Sequence, residues 1–94
     1  MFTTFADGPA VTGSATIGTT AAEAKVNASV LAERKYLIVQ PIDGDIYWSY
    51  DSGVTTSTGH ILDEGSLVYI QAGDRLPVYL IADSNTDVRI SEVA

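Results

Sequence analysis

The sequence predicts an all-β protein: a single small antiparallel β-sandwich or jelly-roll-like barrel of about seven or eight strands, with an extended N-terminal arm. Runs rich in β-branched and aromatic residues recur about every 10–12 residues, a spacing typical of such folds. Turn residues such as Asp-Gly and Asp-Ser separate these runs. A length of 94 residues fits one domain.

The arm is predicted over residues 1–21, which consist mainly of Thr, Ala, Gly and Ser. Phe2 and Phe5 are among its few large apolar residues, so we expect the arm to become ordered only by packing on another subunit. A frayed terminus is the alternative, and residues 14–20 could instead form a first strand. The β-sandwich domain then covers residues 22–94.

The central strand is predicted over residues 34–40, where apolar side chains lie on both faces of a β-type run. The turn 43–45 (Asp-Gly-Asp) and a second run at 46–50 follow it, so the two runs are expected to pair as a hairpin.

Further strands are predicted at 66–71, 77–82 and 86–91, with a weaker one at 24–28. In the last strong run, alternation directs Val88 and Ile90 to the core and Arg89 to water. The only helical candidate, residues 20–25, is too short to be stable alone.

The composition argues against several classes of function. A net charge of −7, with 12 acidic and 5 basic residues, cannot supply a basic groove for nucleic acid or an anionic membrane. The absence of cysteine excludes disulfides, zinc ribbons and iron–sulfur clusters. No apolar run approaches the roughly 20 residues of a transmembrane helix, and the start does not resemble a signal peptide. We expect synthesis in the cytoplasm and no cofactor.

Catalysis is not expected either. His60 is the only histidine, and it follows a Thr/Ser loop and precedes Asp63 and Glu64. These residue types could form a triad, but no Gly-x-Ser-x-Gly elbow is present, and a solvated loop histidine is the favoured interpretation. Asp43 and Asp45 could contribute to a calcium site, but Asp-Gly is also among the commonest turn dipeptides.

The aromatic run 47–50 is the best candidate for a binding surface. Alternation places Tyr47 and Trp48 on opposite faces of the strand. The aromatic side chains could fill the core and its edge, form a subunit interface or stack on a sugar. The candidate interface residues are Phe2, Phe5, Tyr47, Trp48 and Tyr50.

An ordered series of segments resembles the small structural proteins of tailed bacteriophages. The series covers roughly residues 25–93 and consists of segments 32–40, 44–48, 54–59, 62–65, 77–82 and 86–92. The resemblance implies a small β-sandwich or jelly-roll-like fold, no catalytic residues, and a role as a capsid decoration or cement protein or in the head–tail region.

The expected function is therefore that of a non-enzymatic decoration protein that bridges and stabilises major capsid protein subunits. It would lie on the exterior of the virion capsid as a homo-oligomer, with a trimer favoured. The alternatives are a minor tail, baseplate or head–tail connector component, and a carbohydrate-binding or adhesion module that uses Tyr47, Trp48 and Tyr50.

Overall fold

The structure, a computed structural model, describes residues 7–94. This part of the chain contains eight strands and no helix, which confirms the all-β prediction and the expected number of strands. The strands are β1 (Ala10–Ile17), β2 (Ala22–Glu23), β3 (Tyr36–Pro41), β4 (Ile46–Ser49), β5 (His60–Leu62), β6 (Val68–Gln71), β7 (Tyr79–Ile81) and β8 (Thr86–Val93).

The strands form two antiparallel sheets of four strands each. The first sheet has the order β1-β8-β3-β6 and the second has the order β2-β7-β4-β5. β8 therefore lies between β1 and β3, and β3 is an interior strand, as its two apolar faces predict. β1 pairs with β8 over all of its eight residues, from Ala10 opposite Val93 to Ile17 opposite Thr86.

Both sheets contribute to one hydrophobic core. The predicted alternation in β8 is confirmed, because Val88 and Ile90 are buried while Arg89 is exposed. Removing such apolar side chains from water is the main favourable term in folding. The core also contains Leu37, Val39 and Ile70 from the first sheet and Ile46, Leu62 and Leu80 from the second.

The predicted hairpin of β3 and β4 is wrong, because the two strands belong to different sheets. The connecting turn anchors neighbouring segments with its carboxylates. Asp43 accepts a hydrogen bond from the backbone N–H of Asp87 at 2.8 Å. Asp45 accepts one from the backbone N–H of Glu64, also at 2.8 Å. An Asp-Gly turn predicts that the chain changes direction, but it does not determine which strand becomes the neighbour.

The extended arm over residues 1–21 is not confirmed. Residues 10–17 of that segment form β1, because β8 offers backbone hydrogen-bond partners along one edge of all eight residues. Phe2 and Phe5 lie outside the residues that the structure describes. As its short length predicts, the segment 20–25 forms no helix; Ala22 and Glu23 form β2 and pair with β7.

Candidate functional site

Trp48 lies on the core-facing side of β4 and is half-buried against the core. Its ring lies 5.0 Å from that of His60, the opposite residue on β5, and 5.5 Å from that of Tyr50, which it meets edge-on. The Tyr50 hydroxyl donates a hydrogen bond to the backbone carbonyl of Gln71 in the first sheet, at 3.1 Å. This cluster therefore links the two sheets.

Tyr47 lies on the opposite face of β4, where its neighbours across the sheet are Ile61 and Ile81. Its hydroxyl lies 3.4 Å from a carboxylate oxygen of Asp83. The negative charge of Asp83 raises the pKa of the Tyr47 phenol, and loss of hydration and further carboxylates add to the shift. We call this surface the acid-ringed face; it comprises Tyr47, Ile61, Asp45, Asp63 and Asp83, whereas Ile81 is buried.

The three predicted aromatic residues of β4 and its end do not share one surface. Trp48 and Tyr50 are in contact with each other, whereas Tyr47 projects from the other side of the sheet. Trp48 is also half-buried. A flat platform that stacks a sugar on all three rings is therefore not formed, and Trp48 has mainly a packing role.

A second exposed surface lies on the outer side of the first sheet. Tyr69 of β6 is 64% exposed, and its register partner on β3 is Ile38. The rings of Tyr69 and Tyr36 lie 5.9 Å apart. Leu67 precedes Tyr69 by two residues and is 50% exposed. We call this surface, made of Tyr36, Ile38, Leu67 and Tyr69, the tyrosine face. Exposed apolar side chains that lie next to one another make this surface a candidate interaction site.

Sequence reasoning missed the tyrosine face, although part of the signal was present. Leu37 and Ile70 point into the core, so alternation directs Tyr36, Ile38 and Tyr69 outward. What the sequence does not reveal is that β3 and β6 are neighbours, which brings these outward side chains together.

A buried ion pair holds the loops near the end of β8. The Arg34 guanidinium lies 2.9 Å from the Glu92 carboxylate, and both side chains are fully buried. Glu92 also accepts hydrogen bonds from the backbone N–H groups of Val26 and Leu31. Arg34 donates to the backbone carbonyls of Ala72, Gly73 and Leu76. We call this network the Arg34–Glu92 joint. Because every charge in it is bonded within the protein, its role is structural.

His60 and the hydroxyl groups of the Thr-rich loop were the residues suggested for catalysis. His60 is exposed, and within residues 7–94 it makes no hydrogen bond to a hydroxyl or carboxylate. The hydroxyls of Thr55 and Thr58 lie 3.2 Å apart, and Thr55 also accepts from the backbone N–H of Ser57. The Thr-rich loop is thus a turn stabilised by its own side chains.

Three further kinds of site concern the described part of the chain: a small-molecule cavity, a metal site and a membrane-spanning helix. A cavity of about 210 Å³ beside Leu31 and Lys35 is smaller than pockets for drug-sized ligands, about 300–1,000 Å³. Between residues 7 and 94, no group of three or more His, Asp or Glu side chains is placed to hold a metal ion. The same range contains no helix of the length and apolar character needed to cross a membrane.

Two exposed surfaces, the tyrosine face and the acid-ringed face, are thus the candidates for binding. Both lie on the outer faces of sheets, which suit the broad surface of a protein partner better than a small ligand. No protein-family model, curated protein or solved structure matches this chain.

Proposed function

We propose that the protein is a non-enzymatic structural protein of a bacteriophage virion, a capsid decoration protein built as a β-sandwich. It binds major capsid protein subunits on the capsid exterior and holds neighbouring subunits together. The observation that carries this proposal is the tyrosine face, an exposed apolar surface on a regular sheet. The ordered segments of residues 25–93 that resemble phage structural proteins supply the class of partner.

The chemistry of the tyrosine face suits a protein partner. Tyrosine is enriched at protein interfaces because its ring buries a large apolar area while its hydroxyl can still form a hydrogen bond. Tyr69 and Leu67 remain 64% and 50% exposed, so a partner could still cover much of their surface. The net charge of −7 disfavours non-specific binding to DNA.

The mechanism is physical. One domain that touches two capsid subunits adds buried area across their junction, so separating the subunits also requires breaking the decoration contacts. A homo-oligomer engages several subunits at once. Its overall affinity then exceeds that of a single contact, because later binding events become intramolecular.

The composition of purified phage particles tests the proposed class. Quantitative mass spectrometry gives the ratio of this chain to the major capsid protein. A ratio near one copy per capsid subunit is expected. A handful of copies per particle would instead favour the tail or connector alternative, and absence from particles would overturn the structural role.

Binding of variants to undecorated capsids tests the surface. Tyr69→Ala is expected to weaken binding at least tenfold, since the few residues that dominate an interface are enriched in tyrosine and contribute about 2 kcal/mol or more each. Ile61→Ala is the matched control, because Ile61 is 57% exposed on the acid-ringed face. Loss of binding by Ile61→Ala alone would move the interface to the acid-ringed face.

A further inference from the structure

The free edge of β1 differs from the other sheet edges. The edge strands β2, β5 and β6 have two, three and four residues, whereas β1 has eight. An edge strand presents unpaired N–H and C=O groups, which proteins usually protect by short length, charged side chains or proline. β1 has none of these three protections between Ala10 and Ile17.

The chain around this edge is also uncharged. The sequence from Gly8 to Ala22 contains no charged residue, in a chain with a net charge of −7. Among residues 7–94, β8 is the only strand that pairs with β1. Val11 and Ala15, on the core-facing side, are only half-buried, whereas Ile17 is buried. A further strand beside β1 would cover the flanks of Val11 and Ala15.

We propose that β1 pairs with β1 of a second copy of this chain, antiparallel and about a two-fold axis. The pairing joins the two first sheets into one continuous sheet of eight strands. A second copy fits this edge because two chains of charge −7 repel each other least where neither carries a charge. Two-fold pairing of identical surfaces is also the commonest form of homo-oligomer. This inference does not rest on the proposed capsid role.

The pleat restricts the register. In a continuous antiparallel sheet, residues that lie opposite each other are on the same face. The two-fold axis must therefore pass between one residue and the same residue of the second copy, which lie opposite each other. An axis at Ser14 places Val11 opposite Ile17 of the partner subunit on the core-facing side. It places Thr12 opposite Thr16 of the partner subunit on the outer side. Apolar residues then meet apolar residues, and hydroxyls meet hydroxyls. An axis at Gly13 would instead place Ala10 opposite a threonine, so we assign the axis to Ser14.

A cysteine at the axis tests the register. In Ser14→Cys, the two introduced residues would lie about 4.5–5.5 Å apart between Cα atoms, within the range of about 4.4–6.8 Å for disulfides. The chain has no other cysteine. Mild oxidation is expected to convert most of the protein to a covalent dimer. Ser57→Cys, in the exposed Thr-rich turn, is the control; equal cross-linking of both variants would overturn the assignment.

Charge variants test the pairing itself by sedimentation velocity over a concentration series. The unaltered full chain is expected to be a dimer, and Thr12→Lys/Thr16→Lys and Thr12→Glu/Thr16→Glu are each expected to be monomers. An equimolar mixture of the lysine and glutamate variants is expected to regain dimers, because opposite charges then face each other. This recovery cannot arise from misfolded chains.

The control with the same added charge is Ser52→Lys/Ser57→Lys, whose positions are exposed and distant from β1 in sequence. It is expected to remain dimeric. A monomeric unaltered chain, or a trimer that persists in the β1 variants, would overturn the proposal. These measurements contain no capsid, so their failure would leave the capsid role to its own test.

Discussion

The Arg34–Glu92 joint and the acid-ringed face show two ways in which an acidic chain accommodates carboxylates. Glu92 is fully buried, faces a guanidinium at 2.9 Å and accepts two backbone hydrogen bonds. Asp83 is exposed and has the Tyr47 hydroxyl at 3.4 Å as its neighbour. The buried carboxylate thus has a complete set of protein partners, while the exposed one relies on water.

The difference shows that burial, more than the number of ion pairs, determines how much a charged side chain contributes to the stability of the fold. A buried charge loses its hydration and must recover that free energy from protein partners. An exposed charge keeps its hydration, and its interactions are screened by water and salt. The four variants below test this comparison, and we expect their effects to decrease from the joint to the acid-ringed face.

Replacing both charges of the joint is expected to have the largest effect. Some buried ion pairs can be replaced by apolar residues without loss. In Arg34→Met/Glu92→Leu, however, five backbone groups also lose their partners, at about 1–3 kcal/mol each where water cannot reach them. The total stability of a domain is about 5–15 kcal/mol. The double variant is therefore expected to be largely unfolded by circular dichroism; a double variant as stable as the unaltered protein would contradict this role.

Removing only the negative charge is expected to have the next largest effect. Glu92→Gln keeps the size of the side chain but leaves the Arg34 guanidinium buried without a counter-charge. We expect a loss of about 3–5 kcal/mol in the free energy of unfolding, measured by urea denaturation. Glu64→Gln makes the same chemical change at an exposed position. Its midpoint of urea unfolding should lie close to that of the unaltered protein. Equal midpoints for the two variants would show that the joint contributes little.

The exposed ion pair of β8 provides a direct contrast with the buried one. Arg89 lies 2.7 Å from Asp87, closer than Arg34 lies to Glu92, but its side chain is 46% exposed. Because water screens this pair, Arg89→Gln is expected to cost less than about 1 kcal/mol. Urea denaturation at low and high salt measures the effect. A loss as large as that of Glu92→Gln would mean that distance matters more than burial.

The smallest effect is expected at the acid-ringed face, and it depends on pH. The raised pKa of Tyr47, caused first by the charge of Asp83, means that the folded state holds the phenol proton more tightly than the unfolded state does. This contribution to stability is present below the ordinary tyrosine pKa of about 10 and is lost as the pH rises through the raised value. Asp83→Asn should lower the pH at which Tyr47 ionises.

Ultraviolet absorbance of the phenolate, with Tyr47→Phe subtracted, isolates this titration from those of the other tyrosines. Asp7→Asn is the matched control, because the Asp7 side chain is 89% exposed and is not among the carboxylates that shift Tyr47. An unchanged Tyr47 titration in Asp83→Asn would show that Asp83 does not set its pKa.

Local patterns predicted much of the fold. Alternation in residues 86–91 correctly placed Val88 and Ile90 inside, and the two apolar faces of 34–40 correctly indicated an interior strand. The same alternation of every second residue extends to Glu92, because β8 continues to Val93 and the predicted strand ended at residue 91. A carboxylate in phase with two core residues was therefore a readable sign of a buried charge.

The remaining features depend on contacts between distant segments. The turn 43–45 connects the two sheets instead of closing a hairpin, because tertiary packing decides which strands become neighbours. The tyrosine face exists only because β3 lies beside β6. Likewise, Arg34 meets Glu92 across a separation of 58 residues, which no local pattern encodes.

The position of β8 has a consequence for folding during synthesis. β8 is the last strand in the chain, yet it lies between β1 and β3 in the first sheet. β1 therefore has no neighbouring strand until residues 18–85 and β8 have been synthesised. Closing so long a loop slows folding. Over that interval the uncharged β1 segment is unpaired along both edges, and nascent strands of this kind are prone to aggregate. The strand that completes the first sheet thus also ends the period in which the nascent chain is most exposed to aggregation.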